Sequence, residues 1–232
     1  MKAAVIVFPG SNCDQDCARS LKATTGLKAD LVWHKESSLP DYDLVILPGG
    51  FAHGDYLRCG AIARFSPVLA EVRRLAQRGS LILGICNGFQ ILCEAQLLPG
   101  ALLRNRKLKY LCQDVFLRVE TERSPFTSLY QKAQILRIPI SHGEGGYSVN
   151  PKELQKLKDQ DRVAFRYAHA DGLVDDTSAP NGSLEAIAGV LNEKRNILGL
   201  MPHPERLAEP ELGGVDGRPL FEAVFAAMGG AA

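Results

Sequence analysis

Short apolar runs alternate with amphipathic segments through the first hundred residues of the chain. The runs are rich in Val, Ile and Leu, which is typical of strands buried on both faces of a sheet. The segments between them repeat apolar residues at helical spacing. The predicted strands lie near 2–8, 29–33, 43–47 and 80–84, and the predicted helices near 13–25, 59–64, 67–78 and 87–96. This alternation predicts a parallel sheet with helices on both of its faces.

The pattern changes after about residue 100, where extended segments follow one another with few helices between them. Segments 101–104, 114–120 and 134–141 read as extended, Pro151 to Gln160 as a short helix, 162–168, 185–191 and 197–201 as strands, and Arg218 to Met228 as a closing helix. The polar turn at 192–196 predicts that the last two strands form a hairpin. We therefore expect an α/β fold with a largely parallel but mixed sheet, and one domain over residues 1–232.

Composition limits the functional classes without selecting one. The 232 residues are 46% hydrophobic and 23% charged, which are ordinary values for a globular protein. A net charge of +1 gives no argument for a nucleic-acid or membrane-surface partner. The apolar start of the chain stops at Pro9 without a cleavage site, so it reads as a strand rather than a signal peptide. The six cysteines form no CxxC pair, which predicts reduced thiols, no metal site and a cytoplasmic location.

The segment Gly84-Ile85-Cys86-Asn87-Gly88 directly follows a predicted buried strand and opens a predicted helix. Glycines two residues either side of Cys86 allow the backbone to turn sharply around the thiol. This arrangement is the cysteine version of the G-x-S-x-G nucleophile elbow of strand–turn–helix hydrolases. A helix N-terminus also favours a thiolate. Cys86 is therefore the candidate nucleophile, whereas Cys13 and Cys17 are interpreted as structural thiols.

A cysteine nucleophile requires a base and a group that orients the base. His203 follows the last predicted strand and is held between two prolines, and Glu205 stands two residues later, where its carboxylate can bond the imidazole. His142 is a weaker candidate for the base, because no predicted element brings it close to Cys86.

An oxyanion site is predicted beside the thiol. The strand near 43–47 ends at Pro48-Gly49-Gly50, so the amide near Gly50 and the amide of Asn87 can point at a developing negative charge. The carboxyl ends of parallel strands meet at one sheet edge, where ligands bind in open α/β sheets. We expect the glycine turn, the cysteine elbow and the His-Pro-Glu segment to converge there.

These motifs together resemble the class I, or triad, glutamine amidotransferases, which have a flavodoxin-like fold. Four stretches carry a closer resemblance, to the family of glutaminase subunits of phosphoribosylformylglycinamidine synthase. They are Phe8 to Asp14, Gly49 to Arg58, Gly84 to Gln90 and His203 to Arg206. The resemblance extends over essentially the whole chain.

The resemblance implies roles for particular residues and a division of labour between subunits. It implies a catalytic triad of Cys86, His203 and Glu205, and contacts to glutamine from Gln90, Ser141, His142 and Gly143. It also implies that the ammonia passes to a separate synthase subunit, with a small accessory subunit in the complex. ATP and Mg²⁺ would be used by that partner, and no cofactor is expected in this chain.

Two other functional classes stay open at this level. One is a flavodoxin-like module that binds a small molecule and carries an incidental cysteine. The other is a different hydrolase with a cysteine elbow. Neither calls for a carboxylate two residues after a histidine at a strand tip, and this feature distinguishes them from a glutaminase.

Overall fold

The computed structural model of the chain describes residues 1–230. The strands are β1 (Ala3–Val7), β2 (Ala29–Trp33), β3 (Leu44–Leu47), β4 (Leu81–Ile85), β5 (Ala101–Leu103), β6 (Leu111–Val119), β7 (Ile135–His142), β8 (Gly146–Ser148), β9 (Val163–Ala168), β10 (Ile187–Leu191) and β11 (Ile197–Leu200). The α-helices are α1 (Asp14–Thr25), α2 (Val68–Gln77), α3 (Asn87–Glu94), α4 (Pro151–Asp159) and α5 (Arg218–Ala227). None of the helices in residues 1–230 is both long and apolar enough to span a bilayer.

Nine strands form one mixed sheet in the order β2-β1-β3-β4-β11-β10-β9-β6-β7. The first five strands in this order pair in parallel, and the remaining pairs are antiparallel. The parallel part has the strand order of flavodoxin-like folds, with β11 as its fifth strand. The predicted α/β class with a largely parallel mixed sheet is confirmed, and β10 and β11 form the predicted hairpin. A separate pair, β5 with β8, includes a strand that the sequence did not predict.

The central parallel strands are buried because helices cover the sheet. Every residue of β3 and of β4 is buried, as their continuous apolar runs predict. Helix α3 is buried along its first seven residues and packs on β3, β4 and β11. Gly199 in β11 makes room for this contact, because a Cβ there would lie 2.1 Å from the ring of Phe89. The start of α3 is therefore fixed against the carboxyl ends of three parallel strands.

The predicted helix at 59–64 is wrong. The segment between β3 and α2 contains only short 3₁₀ turns at Ala52–Asp55 and Ala63–Phe65. Gly60 has a φ of +81° and lies directly against the backbone of α3, where a Cβ would be 2.8 Å from the amide nitrogen of Ile91. A helix cannot pass through that conformation, so contact with α3 overrides the local helical spacing.

Substitution of Gly88 by alanine tests how tightly α3 is held. A Cβ at Gly88 would lie 1.9 Å from the carbonyl oxygen of Leu47. We expect Gly88→Ala to lower the free energy of unfolding by about 1–3 kcal/mol or more, because the first turn of α3 must move away from β3. Gly143→Ala is the control, since the only atom near its Cβ position is a ring carbon of Tyr110 at 3.6 Å. Equal midpoints of chemical denaturation for the two variants would contradict this account.

Candidate active site

Cys86 joins β4 to α3 in a strained conformation. Its φ of 49° and ψ of −105° lie outside the regions that non-glycine residues favour. Such strain is found where the surrounding structure enforces it, often at functional sites. Gly84 and Gly88 enforce it here: a Cβ at Gly84 would lie 2.9 Å from the backbone of Gly88, and one at Gly88 would strike β3. The predicted elbow is therefore present, and both glycines are required by close backbone contact.

The pairing of β11 with β4 places His203 at the same sheet edge as Cys86. Leu200 lies opposite Ile85 in register, and its carbonyl accepts a hydrogen bond from the Cys86 amide at 2.8 Å. The chain then turns, and His203 Nδ1 lies 2.6 Å from Glu205 Oε1. Both side chains are buried, at 2% and 1% exposure. His203 Nε2 has no hydrogen-bond partner within residues 1–230, which leaves it available to the thiol.

The Glu205 carboxylate determines the charge state of His203. Burial by itself lowers the pKa of His203, but the negative charges of Glu205 and of the Cys86 thiolate raise it well above its ordinary value. The imidazole is thus stabilised in its protonated form, as a proton donor to a leaving group requires.

The predicted oxyanion groups lie on the two segments next to the elbow. Asn87 is the first residue of α3, so its amide has no acceptor within the helix. Gly50 follows β3 at a φ of +134°, and a Cβ there would lie 2.7 Å from the amide nitrogen of Asn12. The Asn87 side chain links these segments, because its Oδ1 accepts from the Ala52 amide at 3.2 Å. The role of the two amides in holding an oxyanion stays a prediction.

The residues expected to contact glutamine lie around the same thiol. The Ser141 carbonyl is 3.6 Å from Cys86 Sγ. Gln90 lies one turn into α3, accepts from Asn87 Nδ2 at 2.9 Å and donates to the Glu144 carbonyl at 2.5 Å. Ser141 and His142 belong to the end of β7, and Gly143 begins the turn that follows. Gln90 thus lies on α3 and the other three residues lie at the end of β7, and their contacts to substrate stay predictions.

His142 is closer to the elbow than the sequence indicated, since it directly follows Ser141. It still lacks the properties of the base. Its Nδ1 pairs with the amide oxygen of Asn105 at 3.2 Å and not with a carboxylate. Burial and the positive charge of His203 lower the pKa of His142 to about 4. An imidazole with so low a pKa is a weak base, and the structure favours His203, whose pKa is raised by Glu205.

Asn105 is a site residue that sequence reasoning missed. It is 1% exposed, and its amide group holds the turn after β7. Its Nδ2 donates to the His142 carbonyl at 2.9 Å, and its Oδ1 accepts from the Gly145 amide at 3.0 Å. A lone asparagine in a loop carries no signal for this role, because its partners lie about forty residues away.

Cys13 also lies at the site, although the sequence favoured a structural thiol. Donor atoms of Cys13, His203 and Glu205 lie within 4.8 Å of one another. Three such groups could hold a metal ion, but His203 Nδ1 is engaged by Glu205, and an Arg206 nitrogen donates to Cys13 Sγ at 3.0 Å. A cation bound there would have to displace both interactions beside a guanidinium, so the donor set does not favour one.

Comparisons with known proteins identify the family of the chain. Residues 1–212 match the model of the CobB/CobQ-like glutamine amidotransferase domain family. The phosphoribosylformylglycinamidine synthase subunit PurQ of Rhodospirillum rubrum is 53% identical over 229 residues, which cover 98% of this chain and 100% of that protein. The chain belongs to the PurQ family of glutamine amidotransferases. The PurQ subunit of Koribacter versatilis is likewise 53% identical, over 98% of this chain and 99% of that protein.

Solved structures place the fold in the same group. A chain in the structure of PurLQS from Thermotoga maritima is 44% identical, covers 98% of both chains and superposes with a TM-score of 0.87. The glutaminase domain of Trypanosoma brucei CTPS covers 100% of this chain and 96% of its own at a TM-score of 0.63, but at 14% identity it shows the fold alone. Membership in the PurQ family decides against a binding module with an incidental cysteine and against an unrelated cysteine hydrolase.

The charge coupling between Glu205 and His203 can be measured directly. Glu205→Gln keeps the shape of the side chain but removes its charge, so we expect the pKa of His203 to fall, as followed by NMR titration of the imidazole. A raised pKa in the folded state stabilises the fold fully below the unfolded value of about 6.5 and loses that contribution as pH rises through the folded value. The free energy of unfolding of Glu205→Gln should therefore depend less on pH between the unfolded and folded pKa values of His203.

Glu209→Gln is the matched control, because Glu209 pairs with Arg19 and not with the imidazole. A His203 pKa that is the same in wild type and Glu205→Gln would show that the carboxylate does not support the base.

Proposed function

We propose that this chain hydrolyses glutamine with Cys86, His203 and Glu205 and delivers the ammonia to a separate synthase subunit that makes phosphoribosylformylglycinamidine in purine biosynthesis. The observation that carries the proposal is the strained Cys86 at the sheet edge shared with the buried His203–Glu205 pair. Family membership supports the substrate, because the relatives are glutamine amidotransferases named as subunits of that synthase. We place the activity in the cytoplasm and assign residues 1–232 to one glutaminase domain.

The chemistry follows from the positions of the groups. The Cys86 thiolate attacks the side-chain amide carbon of glutamine, and the amides of Gly50 and Asn87 hold the oxygen that becomes negative. His203 protonates the departing ammonia, and this leaves a glutamyl thioester on Cys86. The neutral imidazole then takes a proton from water, which attacks the thioester and releases glutamate. Glu205 keeps the imidazole oriented and stabilises its charged form.

The substrate's position is set by groups on α3 and at the end of β7. Gln90 lies on α3, Ser141, His142 and Gly143 lie at the end of β7, and Asn105 holds the turn that follows β7. We assign these residues to the recognition of glutamine. The chain needs no cofactor for hydrolysis in this scheme, and ATP and Mg²⁺ act in the synthase subunit.

Cys86→Ala tests the nucleophile in the complex with the synthase subunit. Glutamine-dependent synthesis should fall to below about one thousandth of the wild-type rate, since no covalent intermediate can form. Ammonia-dependent synthesis should be retained, because that reaction occurs on the other subunit. Cys93→Ala is the control, as this buried thiol on α3 bonds the Pro99 carbonyl and not the site. Glutamine-supported turnover by Cys86→Ala would disprove the assignment.

The loop after β3 is suited to couple partner binding to the site. Its Ala52 amide is tied to Asn87, and its Cys59 amide donates to Glu144 Oε2 at 3.2 Å. Tyr56 and Leu57 between these ties are 88% and 64% exposed. We assign this exposed apolar tip to contact with the synthase subunit, with a small accessory subunit completing the complex. Docking on this tip would then shift the positions of the Gly50 and Asn87 amides.

Tyr56→Ala separates coupling from catalysis. We expect the glutaminase rate stimulated by the synthase subunit to fall, while the basal rate of the isolated chain stays within about twofold, because Tyr56 contacts no proposed catalytic group. Leu129→Ala serves as the control, since it removes another exposed apolar side chain at a turn outside the site. Steady-state rates with and without the partner decide the matter. Equal losses in both rates would show that the tip serves the pocket only.

A further inference from the structure

The thiol of Cys13 lies beside both Arg206 and the His203–Glu205 pair. Cys13 is 1% exposed, and its Sγ accepts a hydrogen bond from Arg206 Nη2 at 3.0 Å. The same sulfur lies within 4.8 Å of donor atoms of His203 and Glu205. Gly49 leaves room for Cys13 and His203 to lie close together, because a Cβ at Gly49 would be 2.7 Å from His203 Cε1 and 3.2 Å from Cys13 Sγ.

Glu205 has an unused oxygen within this group. Its Oε1 bonds His203, whereas its Oε2 is buried without a hydrogen-bond partner in residues 1–230. Arg206 is the next residue in the chain, and its charge interacts with Glu205. An arginine and a carboxylate form strong two-pronged pairs when they can approach each other. If Arg206 paired with Glu205 in this way, the carboxylate would be divided between a guanidinium and the imidazole.

Contacts of its own fix the position of Cys13 beside Arg206 and Glu205. Its carbonyl accepts from the Cys17 amide at 3.0 Å at the start of α1, so its backbone is fixed. Its thiol donates to Asn12 Oδ1 at 3.3 Å while it accepts from Arg206. Both hydrogen-bonding roles of the sulfur are therefore used. On its outer side Arg206 faces Asp16, with 3.7 Å between Nε and the carboxylate, which draws the guanidinium away from the site.

We propose that Cys13 is a positioning residue for glutamine hydrolysis, which holds Arg206 away from Glu205 so that the carboxylate supports only His203. The inference rests on the proposed function, because it concerns the base of that reaction. A sulfur atom suits the task, since it is a weak acceptor that engages the guanidinium without adding a second full charge beside Glu205.

The test is a double-substitution experiment on the complex with the synthase subunit. Cys13→Ala should lower the kcat for glutamine about tenfold or more, because Arg206 gains access to Glu205 and the imidazole loses its support. The alkaline limb of the kcat/KM profile should move to lower pH, since His203 gives up its proton more easily. Adding Arg206→Gln should restore the rate to within about threefold of Arg206→Gln alone, because the competing charge is gone.

The controls distinguish the possible failures. Cys93→Ala measures the effect of losing a buried thiol away from the base. If Cys13→Ala does not fold, Cys13→Val replaces it, because valine fills the space but offers no hydrogen-bond acceptor. Arg206→Gln must then also restore the rate that Cys13→Val loses. A normal rate and pH profile in the Cys13 variant, or a loss that Arg206→Gln leaves unchanged, would overturn the inference. A wild-type complex that does not hydrolyse glutamine would instead remove the proposed function.

Discussion

The parallel pairing of β11 with β4 is the contact on which the candidate site depends. The two strands are more than a hundred residues apart in the chain, yet Leu200 lies beside Ile85 and its carbonyl holds the Cys86 amide. Because side-by-side parallel strands end at one edge, this register alone brings His203 to the thiol. A slip of one residue would turn the side chains of β11 to the opposite face and break its packing against α3. Gly199 supports the same register, because only a residue without a side chain leaves room there for the ring of Phe89.

Close packing at the elbow is the cause of the backbone strain at Cys86. Cys86 holds an unfavourable φ and ψ because α3 begins directly against β3, where Gly88 touches Leu47. Unfavourable conformations of this kind cost about 1–3 kcal/mol and persist only where surrounding contacts enforce them. The buried apolar strands on either side supply those contacts. The sheet thus supplies the stability that holds the buried thiol of Cys86 at the first turn of a helix.

Burial also sets the electrostatics of the site. The His203–Glu205 pair lies almost entirely out of water, where a charge needs a partner close by and an unshared carboxylate interacts strongly with any nearby cation. Two histidines at the same edge consequently differ. His203 has a carboxylate and a raised pKa, whereas His142 has an amide and a pKa lowered to about 4. The same reasoning underlies the proposed role of the Cys13 sulfur, which accepts a hydrogen bond from Arg206 close to Glu205.

The sequence by itself determined the elements and the chemistry that is local in the chain. Alternating apolar runs predicted the strands of the sheet, the glycines around Cys86 predicted the elbow, and the two-residue spacing predicted the His203–Glu205 contact. These signals are local because they depend on backbone geometry within a few residues. Only the tertiary structure decided what depends on packing between distant segments. Contact with α3 replaced the predicted helix at 59–64 by turns, Asn105 came to hold the turn after β7, and Cys13 came to lie beside His203. No pattern near these positions encodes such contacts, since their partners are supplied by strands and turns far away in the chain.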